Sequence, residues 1–248
     1  MRIAVLYDIH GNLPALDAVL EEVRREDVDL LMIGGDVYPG PLANECVERI
    51  RQCGIPHRAI AGNGERAVLE TRDGKPHTEL PGEVRVVIEW SAENLSPEIE
   101  RELRDWPMTT RIEVAGLGRV LFVHATPAND VDIFTERTSD ERLRGIFDGV
   151  DADVVFCGHT HLQFTRQHGG LTIVNPGSVG MPFGDAGAYW ALVDGSVNLR
   201  FTPYALDDAA AQLRGSSYPT ANVFVDRYVL DPPSREKMLD FYDRLENG

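Results

Sequence analysis

RIAVLYDIHGNLPALDAVLEEVRREDVDLLMIGGD, residues 2–36, is the stretch whose reading decides the fold. RIAVLY (2–7) is a short apolar run with β-branched residues and reads as a buried strand. Between 13 and 26 the period changes: Leu16, Val19, Leu20 and Val23 recur at i, i+3, i+4 and i+7, the spacing of one helical face. DLLMIGG (29–35) is strand-like again. A strand, a helix and a strand in this order make a βαβ unit, which implies a parallel pair.

The pattern continues downstream. Ala43, Cys46, Val47 and Ile50 repeat the helical spacing with Gly54 as a stop, and HRAIAGN (57–63) reads as a third strand. Residues 70–85 are polar and loop-like. Helical patterns follow, and SPEIERELRDW (96–106) opens with Ser96 as cap and Pro97 at the first helical position. RIEVAG, GRVLFVHA and DVVFCGHTH read as strands, with a helix near 139–148 before the last of them. LTIVNPGSVG, AYWALVDG and VNLRFTPY look like hairpin-connected strands. Helices are expected at 205–214 and 235–246, while NVFVDRYVL (222–230) fits strand and helix equally. The reading is an α/β fold without internal repeats: one domain over 1–205, and a C-terminal extension, 206–248, packed on it.

With 43% hydrophobic and 26% charged residues the chain is of ordinary globular composition, but its formal charge is −16. A bare surface of that sign repels phosphate backbones, so non-specific binding of nucleic acid or anionic membrane is not expected. It leaves room for a phosphate substrate where bound cations reverse the local field. Cys46, Cys53 and Cys157 are too few and too scattered for a disulfide framework. MRIAVLYD reaches an aspartate too early for a signal peptide, and no run approaches transmembrane length; the expectation is a cytoplasmic protein.

Ligands of open α/β sheets gather where strands end. Here those ends share a chemistry: Asp8 and His10 after the first strand, Asp36 after the second, Asn63 after the third, then His124, and His159 with His161 in GHTH. Each alone has a plainer explanation, as a turn residue, a helix cap or a hydrogen-bonded core histidine. Their recurrence in one ordered series is what points to metal. Seven nitrogen and oxygen donors exceed one tetrahedral site and suit two borderline divalent ions, with Mn, Fe, Zn and Ni all compatible. His57, His77 and His168 sit in polar contexts and read as surface residues.

DIHGN (8–12), GDVYPGP (35–41), GN (62–63), the strand-end His124, GHTH (158–161) and VNPGSVG (174–180) together resemble the motif series of the calcineurin-like metallophosphoesterases, closest to their small bacterial branch. The resemblance covers about 1–205. It implies a four-layer α/β/β/α sandwich of two mixed sheets. It also implies that Asp8, His10 and His161 hold one ion, that Asn63, His124 and His159 hold the other, and that Asp36 bridges them and positions an attacking hydroxide. The implied activity is hydrolysis of a small phosphate ester, with a phosphodiester favoured.

One position departs. Where the family usually carries a histidine after Gly-Asn, assigned to protonating the leaving group, this chain has Gly64, followed by Glu65. Three readings follow: substrates whose leaving group departs unaided, a stand-in acid such as Glu65 or His77, or a metal-bearing scaffold with little catalysis. Asn12 is placed either to touch a substrate phosphate or to cap the next helix. Loops 66–95, 127–138 and 181–187 are expected to set specificity, and NVFVDRYVL to pack on the core or on a second copy of the chain. A nucleotide-binding module would want a glycine-rich phosphate loop after the first strand, and DIHGNLPA supplies none.

Overall fold

The 2–36 stretch forms β1 (Ile3–Leu6), α1 (Leu13–Arg25) and β2 (Leu30–Ile33), with β1 and β2 parallel and Ile3 paired with Leu30. This is a computed structural model, describing residues 1–75 and 77–247. Pro76, inside the 66–95 stretch, and Gly248, at the end of the extension, lie outside the described residues. After α2 (Ala43–Gln52), β3 (His57–Ala59) joins β2 in parallel. The predicted hairpin strands β9 (Ala188–Val193) and β10 (Val197–Thr202) complete this sheet on the other side of β1, in the order β10-β9-β1-β2-β3.

The second sheet is built from β4 (Thr109–Val114), β5 (Gly118–Val123), β6 (Val154–Phe156), β7 (Phe164–His168) and β8 (Leu171–Asn175). Its order is β4-β5-β6-β8-β7, with a parallel β5-β6-β8 centre and antiparallel edges. Side chains alternate across each strand, which sets the layers. Ile3, Val5 and Tyr7 meet Phe122, Phe156 and Val174 between the sheets. Ala4, Leu6, Leu31 and Ile33 face outward onto α1 and α2. On the far side, Leu121, Val155 and Ile173 pack on α6 (Asp140–Phe147) and α9 (Arg235–Asn247) through Leu143, Phe147 and Leu239. The result is a helix–sheet–sheet–helix sandwich, as the resemblance implied.

Two elements differ from the sequence reading. The third strand stops at Ala59, and a helix, α3 (Asn63–Arg72), starts at the residue expected to end it. The local cause is Glu65, whose Oε2 accepts the amide of Gly62 at 2.8 Å and so serves the first turn of the helix. The polar 70–85 stretch is therefore only partly loop: α3 runs to Arg72 and α4 (Gly82–Asn94) begins within it, before α5 (Pro97–Asp105). NVFVDRYVL is helical, continuing α8 (Ala221–Phe224) as a π-helical turn over Val225–Leu230. Together with α7 (Leu206–Arg214) it buries Leu213, Phe224 and Val225 against Val87 of α4. Among the described residues no helix is long and apolar enough to cross a membrane.

Candidate metal centre

Six of the seven expected donors sit on the loops that leave the parallel strands, and Asn63 opens α3 just after β3. The backbone there is bent in a specific way: Asp8 (φ 55°), His10 (φ 45°), Asp36 (φ 53°), His159 (φ 65°) and His161 (φ 57°) are all left-handed. Among the described non-glycine residues only Asp27 joins them. A side chain in that region costs ~1–2 kcal/mol, and five such residues at one place mark a site whose geometry was selected over local comfort.

The polar atoms converge. Asp8 Oδ1 lies 3.6 Å from His161 Nε2 and 3.9 Å from His124 Nε2. Asp36 Oδ2 lies 3.8 Å from His10 Nε2 and 3.5 Å from His124 Nε2, so it faces both halves of the cluster. Asn63 Oδ1 is 3.0 Å from His124 Nε2. Two groups, Asp8–His10–His161 and Asp8–Asp36–His124, each present ligand atoms within 4.8 Å of one another. His159 stands beside His124 with ring centroids 5.5 Å apart, and its backbone amide donates to Asp8 Oδ2 at 3.1 Å. All seven predicted donors are thus brought to one place.

Three of the imidazoles are oriented by backbone carbonyls. His10 Nδ1 contacts Pro39 O at 3.2 Å, His124 Nδ1 contacts Gly34 O at 2.9 Å and His161 Nδ1 contacts Met181 O at 2.7 Å. A carbonyl only accepts, so each Nδ1 carries the proton; in His10 and His161, which burial keeps neutral, the lone pair of Nε2 turns inward. Between His10 and His161 two such lone pairs then face each other at 3.3 Å. Asp8 Oδ1, fully buried, receives no hydrogen bond. An arrangement of acceptors without donors fits a cation, and outer carbonyls that fix the tautomer are the usual support of metal-bound histidine.

Electrostatics follow from burial. Burial, with His10 close by, pushes His161 well below the ordinary imidazole range, and burial lowers His10 as well. His159 falls to about 4, from burial and then from the nearby His124. Burial would also lower His124, but the Asp36 and Asp8 carboxylates outweigh it and raise it to about 10. Burial raises Asp8 well above the usual carboxylate range, whereas for Asp36 the effect of burial is overcome by His124 and it titrates low.

Glu65 does not reach into this cluster as a free acid. Its carboxylate accepts the amides of Asp36 (2.8 Å), Tyr38 (2.9 Å) and Gly62 (2.8 Å), fastening the β2 and β3 loops together. Burial and the nearby Asp36 lift it to about 7. Asn12 takes the capping alternative: Oδ1 accepts Ala15 N at 3.2 Å, and Nδ2 donates to Gly180 O and Tyr204 Oη. His57, His77 and His168 are half-buried rather than surface residues. VNPGSVG, quoted earlier for resemblance alone, proves to be the brace of the site. Ser178 Oγ donates to Asp8 O and accepts Met181 N, both at 2.7 Å, and Asn175 Nδ2 holds Gly158 O at 2.9 Å.

Gly64 has a steric reason. A Cβ at this position would stand 1.9 Å from Tyr38 O and 2.9 Å from Asp36 Oδ1, while the Gly64 amide donates to that same Asp36 oxygen at 2.7 Å.

A family model for the calcineurin-like phosphoesterase superfamily domain matches residues 1–197. The chain belongs to that superfamily. An uncharacterized protein of Methanocaldococcus jannaschii is 29% identical over 196 residues, covering 73% of this chain and 76% of its own length. The phosphodiesterase YfcE of Escherichia coli is 26% identical over 208 residues, covering 79% and 89%. Among solved structures, a metallophosphoesterase from Sphaerobacter thermophilus superposes with TM-score 0.72 at 27% identity over 92% of this chain and 98% of its own. A hypothetical protein from Pyrococcus horikoshii superposes with TM-score 0.76 at 20% identity over 91% and 96%, a likeness of fold. Membership of this superfamily implies divalent metal cofactors, and the cluster described above offers groups that could hold them.

Proposed function

We propose that this chain hydrolyses phosphate esters, phosphodiesters by preference, at a centre of two divalent cations. Asp8, His10 and His161 would hold one, Asn63, His124 and His159 the other, with Asp36 facing both. The observation that carries the reading is the group of acceptors without donors: two Nε2 lone pairs at 3.3 Å beside an unpartnered, buried Asp8 Oδ1. The nitrogen and oxygen donor set accepts Mn, Fe, Zn or Ni. When bound, such ions supply Lewis acidity toward phosphoryl oxygens and toward water.

The protein's own part is positioning. Carbonyls of Pro39, Gly34 and Met181 aim three imidazoles. Glu65 braces the backbone under Asp36 and is a positioning residue rather than the stand-in acid. Gly64 contributes a backbone amide to Asp36 and no side chain, so no proton reaches the leaving group from there. That favours esters whose leaving group departs as a stable anion, and the named activity of the Escherichia coli relative supports a diester. Elemental analysis of the purified, manganese-loaded protein beside a monoester and diester panel tests the proposal. Two metal equivalents and turnover of bis(p-nitrophenyl) phosphate, lost in Asp36→Asn, are expected. Metal without turnover would favour the scaffold reading instead, and no metal would end both.

A further inference from the structure

A cleft of about 460 Å³ opens beside the donor cluster, with His10, Asp36 and Asn63 among its lining residues. That volume belongs to sites for small organic molecules, ~300–1,000 Å³, rather than to a bare phosphate. Beyond the cluster its walls turn apolar. Val84 and Val87 come from α4, and Val223, Phe224 and Tyr228 from α8 and the π-helical turn. Val84 and Val223 are 38% and 55% exposed, apolar surface left open beside a polar site. Rings run along the wall: Tyr218 and Phe224 meet edge-on at 6.2 Å, and Phe224 and Tyr228 lie tilted to each other at 5.7 Å.

The charges narrow the ligand. Arg66 faces the cleft but is clamped by Asp130, through Nε at 2.6 Å and Nη2 at 3.0 Å. Arg227 is exposed and lies 5.7 Å over the ring of Tyr228, and the adjacent Asp226 is taken by Arg214. A guanidinium on an aromatic ring makes a flat platform on which another ring can stack. Glu79 and Glu83 also face the cleft and disfavour a second phosphate there.

Two placements strengthen this. Tyr228 and Arg227 ride on a six-residue π-helical turn, a rare geometry that is frequent at functional sites. That turn lies after residue 197, where the family match ends, so this part of the wall is outside the matched domain. Gly64 lines the cleft next to Asp36 and Asn63, where cluster and cleft adjoin.

We propose that the cleft binds one ester arm of the substrate, that this arm is a neutral, ring-bearing group stacked near Arg227 and Tyr228, and that the chain thereby selects aryl over alkyl phosphodiesters. The inference rests on the phosphoesterase reading of the adjoining site. Isothermal titration of the manganese-loaded protein with diphenyl phosphate and dimethyl phosphate tests it directly. Diphenyl phosphate is expected to bind at least about tenfold more tightly, from burial of one ring less the cost of ordering it. Tyr228→Ala and Val223→Asp are each expected to cut that preference about fivefold or more, the second at an exposed position where the fold is not at risk. Equal binding of the two esters, or a preference that survives both substitutions, would overturn the assignment. Turnover of bis(p-nitrophenyl) phosphate is scored separately. Its absence would remove the hydrolase reading while the binding ratio still decides the cleft.

Discussion

Restoring the family's usual histidine at position 64 is expected to damage this protein rather than improve it. Were Gly64 merely a lost acid, Gly64→His would return a proton donor, a group commonly worth ~10²–10⁴-fold in rate. The structure argues otherwise. A Cβ there meets Tyr38 O at 1.9 Å, and relief requires the α3 start to move away from the β2 loop. Forcing atoms into such a place costs ~1–3 kcal/mol. The same movement stretches the 2.7 Å bond from the Gly64 amide to the Asp36 carboxylate, a charged hydrogen bond of ~1.5–3 kcal/mol. Together about 2.5–6 kcal/mol is at stake, on the order of 10 °C in Tm for a chain of this size. Thermal unfolding and turnover of bis(p-nitrophenyl) phosphate read the result. Gly64→Ala should already show most of the loss, because the clash begins at Cβ. A Gly64→His protein that melts within about 2 °C of the parent and turns over faster would refute the steric account.

Other outcomes follow from the same coordinates. Asp8→Asn removes a buried carboxylate whose Oδ1 has no donor, so chelator-treated protein should gain about 1–3 kcal/mol in thermal unfolding while the stabilisation by added manganese disappears. Ser178→Ala breaks the link from Asp8 O to the loop that orients His161; a loss of about 1–2 kcal/mol and weaker metal retention on dialysis are expected. Arg66→Ala strands the buried Asp130 and should lower Tm by a few degrees. Pairing it with Asp130→Ala should recover most of that loss in a double-mutant cycle.

Sequence period and strand-end chemistry carried far into the fold, for a physical reason. β1, β2 and β6 are buried throughout and β5 and β8 over most of their length, so their apolar runs are continuous. Asp8, Asp36, His124 and His159 follow the runs of β1, β2, β5 and β6. What hid α3 was its opening Asn-Gly pair, poor helix material that works because Glu65 bonds back to Gly62. The same bond recasts Glu65 from an acid to a brace, a role invisible without knowing that three amides converge on it. VDRYVL could not be resolved by pattern because a π-helical turn obeys neither the period of a strand nor that of an α-helix. Ser178 and Asn175 were quoted within a motif, but their function lies in contacts to residues far off in the chain.

Tyr7 follows β1 and lies between the two sheets, its hydroxyl 3.1 Å from both Val123 O and Phe156 O at the ends of β5 and β6. One phenol thus rivets three strand tips of opposite sheets, one residue before Asp8. The spacing of the donors is thereby inherited from the distance between sheets, which packing holds constant. A change of substrate finds little latitude in that frame; under the cleft proposal, the latitude lies in the late-chain segment around Val223 and Tyr228.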